Sequence, residues 1–179
     1  AFEDSIAEEY TRMKFKKERV YNYSHDTVVN FFMESEQTGY DMNDLDNVTQ
    51  WKIVKEEDQG DKRIGIKEWC AHAQIPKALQ HVVSPKMLTW LEHSVWDKKN
   101  TVYKFKIEPF YLKKKVKCQG QTDYKPKGKD KCARIFQVEL KVSIPVVGQM
   151  FEKLVMELLK KNEEKDFELC QKALKEHFG

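Results

Sequence analysis

The sequence predicts an α+β fold in which an antiparallel meander of six to seven strands packs against one long C-terminal helix. Three observations lead to this prediction. Residues 136–144 alternate between apolar and polar side chains, as a half-buried strand does. Turn-forming sequences recur between apolar runs at 58–61, 97–100 and 125–130. After Gly148, apolar residues recur at helical spacing over about 30 residues.

The elements follow in a clear order. Residues 13–23 mix aromatic and charged side chains and predict a first strand. Ser24, His25 and Asp26 can cap a short helix with an apolar face at 28–33, which ends before Gly39. The acidic stretch 41–46 predicts a loop or a second short helix. The remaining strands are predicted at 48–55, 62–75, 88–96, 101–107, 114–124 and 132–144.

The C-terminal helix has one unusual segment. Residues 160–166 contain no apolar side chain, although apolar residues recur on both sides of them. A helix that continues through a fully polar turn and a half is expected either to overhang the sheet or to bend there.

Length and composition limit the class of protein. The chain has 179 residues, a typical length for one domain, so residues 1–179 are expected to form a single domain. No stretch approaches the roughly 18 uninterrupted apolar residues that a membrane-spanning helix needs. The opening residues lack the basic start and apolar run of a secretion signal, so a cytoplasmic location is expected.

The cysteines and basic residues argue against three kinds of site. Cys70, Cys118, Cys132 and Cys170 form no CxxC pair, and the five histidines show no local ligand spacing, so we expect no metal and no cofactor. The chain has 28 Lys but only 4 Arg, and arginine is the preferred reader of base edges. No nucleic-acid partner is expected.

The charge is unevenly distributed along the chain. Residues 1–61 carry 7 bases and 15 acids, whereas residues 98–131 carry 12 lysines and 3 acids. Such a basic sector could contact an anionic membrane surface weakly, or it could simply keep edge strands soluble. The basic candidates are Lys98, Lys99, Lys113, Lys114, Lys115, Lys125, Lys127 and Lys129.

Two segments carry a resemblance to a known superfamily. Residues 20–28 (VYNYSHDTV) are similar to its strand-to-helix entry, and residues 140–154 (LKVSIPVVGQMFEKL) to its last strand and helix start. With the order of elements, they resemble the START-like, helix-grip superfamily of polyketide cyclases and lipid-transfer proteins (SRPBCC-type), in particular an uncharacterised bacterial branch. The resemblance implies a curved sheet wrapped around the C-terminal helix, and a cavity between them for an apolar molecule.

Candidate wall residues of such a cavity follow from the apolar faces. They are Phe105, Val116, Phe136 and Val138 on the strands, and Met150, Leu154 and Leu158 on the helix. The same periodicity is also typical of ordinary core packing. Trp51, Trp69, Trp90 and Trp96 share this ambiguity, although an indole N–H favours a polar boundary.

Polar residues of the predicted strands are the candidates for catalysis that the sequence offers. His72 and His93 could meet Glu68 or Glu92 across the sheet and form an acid–base pair, with Arg134 as a further polar candidate. The alternative is that these residues face solvent. No GxSxG, P-loop or GxGxxG motif is present, so no catalytic residue is assigned.

Three functions remain open from the sequence. The preferred one is non-enzymatic binding or transfer of a hydrophobic small molecule or lipid. The second is a START-like enzyme of cyclase or hydrolase type. The third is a protein-interaction module that resembles the chaperone activators of the superfamily and uses its lysines against an acidic partner.

Overall fold

Seven strands form one antiparallel sheet. The structure, a computed structural model, describes residues 12–35 and 40–179. The strands are β1 (Met13–Tyr21), β2 (Val48–Asp58), β3 (Lys62–Ala71), β4 (Thr89–Asp97), β5 (Val102–Pro109), β6 (Val116–Pro126) and β7 (Cys132–Val142). Their order across the sheet is β1-β7-β6-β5-β4-β3-β2, so β2 to β7 form the predicted meander and β1 is added beside β7. The predicted fold class is confirmed.

Two helical regions complete the fold. Helix α1 (His25–Val29) starts where the backbone N–H of Thr27 donates to Ser24 Oγ over 3.2 Å, and it continues into a π-helical turn at Asn30–Glu34. Helix α2 (Gly148–Phe178) is 31 residues long. The expected break at Gly39 lies outside the described residues, and the acidic stretch that follows contains a 3₁₀ turn at Met42–Asp44.

The two ends of the sheet differ. At the hairpin end, tight turns join β2 to β3, β4 to β5 and β6 to β7. At the loop end, longer connections span residues 72–88, 110–115 and 143–147. The predicted strand 62–75 ends earlier, at Ala71, and the 72–88 connection that follows contains 3₁₀ turns at Lys77–Leu79 and Pro85–Met87.

Each end has its own packed core. At the hairpin end, α1 and the last turns of α2 cover the sheet; the main buried residues there are Tyr21, Val28, Phe31, Trp96, Tyr124, Cys132 and Leu174. At the loop end, the 72–88 connection and the first turns of α2 cover it; the main buried residues are Leu79, Val83, Val138, Leu140, Phe151 and Met156. The carboxylate of buried Glu152 accepts a 2.6 Å hydrogen bond from the Val142 N–H and fixes the start of α2 to the end of β7.

The polar middle of α2 lies over the sheet. The expectation that residues 160–166 overhang it is wrong: helix α2 is continuous there and Glu163 is buried. Glu163 accepts from Arg134 on β7 and from Arg19 on β1, with N–O distances of 3.1 Å in both pairs. Ion pairs therefore take the place that apolar contacts hold elsewhere along the helix.

Candidate ligand cavity

A cavity of about 980 Å³ lies between the sheet and α2. It exists because α2 packs on β7 and β1, at one side of the sheet, while β2 to β5 stand further from the helix. Small-molecule sites in proteins commonly measure about 300–1,000 Å³. The space is therefore large enough for a drug-sized molecule.

Apolar side chains line both sides of this cavity. Helix α2 contributes Phe151, Val155, Leu158 and Leu159, and the sheet contributes Phe105, Ile107, Val116, Phe136 and Leu140, among others. The rings of Phe105 and Phe136 are nearly parallel, with centroids 6.0 Å apart. Gly120 makes this arrangement possible, because a Cβ at that position would stand 2.6 Å from the Phe105 ring.

A row of tryptophans forms the wall furthest from the helix. Trp51, Trp69 and Trp90 are register partners on β2, β3 and β4, and all three line the cavity. Ring centroids are 6.0 Å apart between Trp51 and Trp69, and 6.4 Å apart between Trp69 and Trp90. The indole N–H groups of Trp51 and Trp69 are buried and have no hydrogen-bond partner among the residues that the structure describes. Unpaired buried donors are uncommon in packed cores.

A lysine, a tyrosine and a glutamate form a polar group on the cavity wall. Lys67 Nζ donates to the Tyr103 hydroxyl over 3.0 Å, and that hydroxyl donates in turn to Glu92. Burial raises the pKa of Tyr103 well above its ordinary value, and the charge of Glu92 raises it further. The phenol therefore stays protonated at neutral pH and connects Lys67 with Glu92. All three residues line the cavity.

A second polar group closes the cavity at the hairpin end. Arg134 donates to Glu163 and to Asp166, and the Tyr40 hydroxyl also donates to Asp166. Burial alone would lower the pKa of Arg134, but the neighbouring charge of Asp166 raises it well above its ordinary value. This guanidinium is therefore permanently charged and held by carboxylates from α2.

Exposed lining residues, among them Ser35, mark where the cavity reaches the surface. Ile53 on β2 is half exposed, and Tyr111 lies in the 110–115 connection at the loop end. Asp41 and Glu56 are also exposed members of the lining. The cavity therefore opens beside the edge strand β2 and at the loop end.

The predicted wall residues divide into two groups. Phe105, Val116, Phe136 and Leu158 line the cavity. The other three do not: Val138 is fully buried in the loop-end core, Leu154 packs against that core, and Met150 is exposed. The spacing identified the apolar face of the helix. The rotation of α2 on the sheet turns Val155 and Leu158 toward the cavity, and it turns Met150 and Leu154 away from it.

The predicted polar candidates are not brought together. Glu92 and Arg134 line the cavity. Because side chains alternate along a strand, Glu68 and His93 lie on the opposite face, where they pair with Lys52 at 3.1 Å and Glu108 at 2.8 Å. His72 is exposed in the 72–88 connection. Neither histidine meets Glu68 or Glu92 across the sheet.

The basic candidates are divided between the two ends of the sheet. Lys113, Lys114 and Lys115 are exposed at the loop end. At the hairpin end stand Lys98, Lys99, Lys125, Lys127 and Lys129, and two of them are paired: Lys98 with Asp58 and Lys127 with Glu18, both at 2.6 Å. The lysine-rich segment 98–131 is therefore not one continuous basic surface.

Lys67 and Tyr103 are among the cavity residues that the sequence analysis did not name. Lys67 follows the alternation of β3 and shares a face with Trp69, and Tyr103 shares one with Phe105. The available signal was a lysine two residues from Trp69 on the inward face of β3, which also carries Arg63. Within the described residues, no cluster of three His, Cys, Asp or Glu side chains could hold a metal ion. Among the described helices, none has the length and apolar character to cross a membrane.

The chain is similar to several known proteins. A family model described as "Protein of unknown function (DUF2505)" matches residues 16–174. No curated protein matches the sequence. A protein from Thermus thermophilus has a similar structure, with a TM-score of 0.66 and 19% identity, over 93% of this chain and 100% of that one.

Two further solved structures connect the fold to named proteins. Norcoclaurine synthase from Thalictrum flavum, in complex with dopamine and hydroxybenzaldehyde, has a TM-score of 0.62 and 17% identity, over 94% of this chain and 89% of that one. A START superfamily protein from Mycobacterium smegmatis has a TM-score of 0.55 and 13% identity, over 91% and 97%. The predicted START-like, helix-grip fold is confirmed.

Proposed function

We propose that this chain, which belongs to the DUF2505 family, binds an apolar small molecule or lipid between its sheet and helix α2. The observation that carries the proposal is the cavity of about 980 Å³ with apolar walls on both sides. Protein interiors are normally close-packed, and an empty apolar space lowers stability in proportion to its volume. A ligand of matching shape offsets that loss.

The lining also indicates what kind of molecule fits. Aromatic rings from β2 to β5 and from β7 form much of the wall, and Phe105, Trp69 and Trp90 each present a large apolar surface. Lys67, Glu92 and Arg134 add a small number of polar groups, as in other small-molecule sites. A largely apolar ligand with one or two polar atoms meets both conditions. The similar fold of norcoclaurine synthase, solved with dopamine and hydroxybenzaldehyde, supports this class of ligand.

The location belongs to the same proposal. All four cysteines are free thiols, and three of them are buried. Free thiols are typical of proteins in a reducing compartment. The cytoplasm is therefore the proposed location.

Titration with an apolar fluorophore, N-phenyl-1-naphthylamine, tests the proposal. We expect saturable binding of about one molecule per chain. Because the probe binds the folded state only, a concentration of about 100 times Kd should stabilise the protein by about 2.7 kcal/mol and raise the Tm by roughly 5–10 °C. A folded protein that takes up no probe, and whose Tm does not change, would exclude a ligand cavity.

One observation favours a second function, proton-transfer catalysis in the same cavity. The Lys67–Tyr103–Glu92 group contains a donor and an acceptor joined by a hydroxyl, which is the arrangement that general acid–base catalysis uses. Incubation with an aryl ketone in deuterium oxide would show α-hydrogen exchange by NMR. If the group is catalytic, Glu92→Gln and Lys67→Met abolish the exchange but retain probe binding. If wild type and both variants exchange at the uncatalysed rate, the cavity only binds.

A further inference from the structure

Three large apolar side chains are exposed at the loop end of the sheet. Phe110 and Tyr111 are each 41% exposed, and Val146 is fully exposed at 103%. Single exposed apolar residues are common on protein surfaces, but contiguous ones indicate an interaction site. These three residues lie in two connections at the same end of the sheet.

Backbone hydrogen bonds join the two connections that carry them. The N–H of Ser143 donates to the carbonyl of Lys115 over 2.7 Å, and this bond places the 143–147 connection beside the 110–115 connection. The N–H of Phe110 also donates to the carbonyl of Thr89, which fixes the 110–115 connection to β4. Residues 110–115 and 143–147 are therefore neighbouring connections at the loop end, and we call them together the docking tip.

Val146 occupies its position at a conformational cost. Its φ is 69°, a region that β-branched residues rarely adopt, and a hydrogen bond of 2.8 Å from the Val147 N–H to the Pro145 carbonyl closes the turn around it. Because the Val146 side chain is fully exposed, it packs against no part of the domain. A valine here therefore adds backbone strain and no packing to the free protein.

Three lysines lie in the same connection as Phe110 and Tyr111. Lys113, Lys114 and Lys115 are exposed, and the sequence from 110 to 117 contains no acidic residue. Glu108 is the acidic neighbour, and it pairs with Lys113 at 2.9 Å and with His93 at 2.8 Å. Aromatic and aliphatic side chains fringed by lysines are typical of surfaces that attach to anionic lipid, where the apolar groups insert and the lysines meet phosphate.

We propose that the docking tip binds an anionic phospholipid bilayer, with Phe110 and Val146 inserted and Lys113 to Lys115 at the headgroups. Tyr111 and Leu112 belong both to this tip and to the cavity lining. Docking therefore turns the loop-end opening of the cavity toward the lipid. This goes beyond ligand binding itself, because attachment can be measured with the cavity empty.

Sedimentation with phosphatidylglycerol-containing vesicles tests the charged part of the tip. We expect the wild type to bind at about 0.02 M salt and to be released at about 0.5 M. Replacing Lys113, Lys114 and Lys115 by Gln should weaken binding at least about tenfold, since each lysine near an anionic surface contributes measurably. The matched control replaces Lys125, Lys127 and Lys129 by Gln at the hairpin end, and it should change binding less than about threefold. Equal weakening by both triple variants would overturn the proposal, because charge alone would then explain binding.

A second variant tests the apolar part without unfolding the protein. Val146→Asn relieves the backbone strain at this position, because Asn tolerates a positive φ. The double variant with Phe110→Ser removes two exposed apolar side chains that lie outside the cavity lining. We expect at least about fivefold weaker vesicle binding, with unchanged N-phenyl-1-naphthylamine binding. A wild type that binds no vesicle but does bind polyglutamate would assign the tip to an acidic protein and overturn the proposal. A wild type that binds vesicles but takes up no N-phenyl-1-naphthylamine would overturn the proposed function and leave the membrane-docking proposal in place.

Discussion

The inner face of β7 and the inner face of β3 and β4 have the same alternating pattern but different surroundings. On β7, Val138 and Val142 are packed beneath the loop-end core. On β3 and β4, Trp69 and Trp90 line an open space. Both faces point to the inside of the fold, but only the first is filled by protein. Alternation therefore reports burial and does not report what the buried side chains touch.

The composition of the two faces carries the missing information. The packed part of β7 is aliphatic, whereas the face of β3 and β4 combines indoles with Lys67 and Glu92. Charged groups and unpaired indole N–H donors are costly inside a dry core but useful on a binding wall. A strand face that mixes large aromatics with one or two charges is thus a better indicator of a cavity than an aliphatic face.

The largest effect is expected at the ion pairs that hold α2 on β7. Glu163→Gln leaves the buried guanidinium of Arg134 with one carboxylate fewer, and breaking a buried pair commonly costs about 3–5 kcal/mol. Urea unfolding measures this loss. The exposed neighbour Glu164→Gln is the control and should change the unfolding free energy by less than about 0.5 kcal/mol. Equal effects would mean that the ion pairs do not hold the helix.

The next effect compares two leucines of the same helix. Leu174 is fully buried in the hairpin-end core, and Leu158 lines the cavity. Leu174→Ala should cost about 2–5 kcal/mol, as for other buried leucines. Leu158→Ala should cost less than half of that, because its side chain has protein on one side only. If the two substitutions destabilise the protein equally, the space beside Leu158 is not a cavity.

A smaller effect is expected at alkaline pH. Burial raises the pKa of Cys118 from 9.0 to about 12 and that of Cys132 from 9.0 to about 11. Both thiols have the lower pKa, 9.0, in the unfolded chain. Their contribution to the unfolding free energy is therefore complete below pH 9 and is lost as the pH rises from 9 toward the pKa of the folded state. At pH 10, each should reduce the unfolding free energy by about 1.4 kcal/mol.

Single variants separate the two thiols. Cys118 lies on the cavity wall, and Cys132 lies in the hairpin-end core. Cys118→Ala and Cys132→Ala should each reduce the loss between pH 7 and pH 10 by the same amount, measured by urea unfolding. If only Cys132→Ala reduces it, water reaches Cys118 through the cavity and the wall is wetter than its apolar lining indicates.

Local sequence was enough for the strands, the hairpins and the long helix, because period and turn chemistry are local properties. Local sequence also placed Phe105, Val116 and Phe136 on the inner face of the sheet by alternation, but it placed Val138 there too, and that side chain lies in the loop-end core. It could not select Leu158 over Met150 on the helix, because the rotation of α2 depends on contacts across the whole molecule. The pairing of Arg134 with Glu163 also depends on how α2 is placed on the sheet, so local sequence could not predict it.

The polar group at Lys67 shows a different limit. Lys67, Glu92 and Tyr103 come from three neighbouring strands, and their meeting depends on strand register and on the reach of the tyrosine ring. The sequence-based hypothesis of an acid–base pair used the histidines instead, because histidine titrates near neutral pH. Alternation then placed His93 on the opposite face. A charged residue two positions from Trp69 on the same strand face was the more informative signal.

Filling the cavity tests most directly whether the space beneath α2 is a binding site. Leu158→Trp places an indole in it, and the adjacent Glu157→Trp, which is exposed, is the matched control. N-phenyl-1-naphthylamine affinity and the urea unfolding free energy are measured for both variants. We expect Leu158→Trp to weaken probe binding at least about tenfold while the unfolding free energy stays within about 1 kcal/mol of wild type, because the new side chain enters empty space. Glu157→Trp should leave both quantities unchanged. A Leu158→Trp variant that is destabilised by several kcal/mol, together with a wild type that binds no probe, would contradict the account and show a close-packed core.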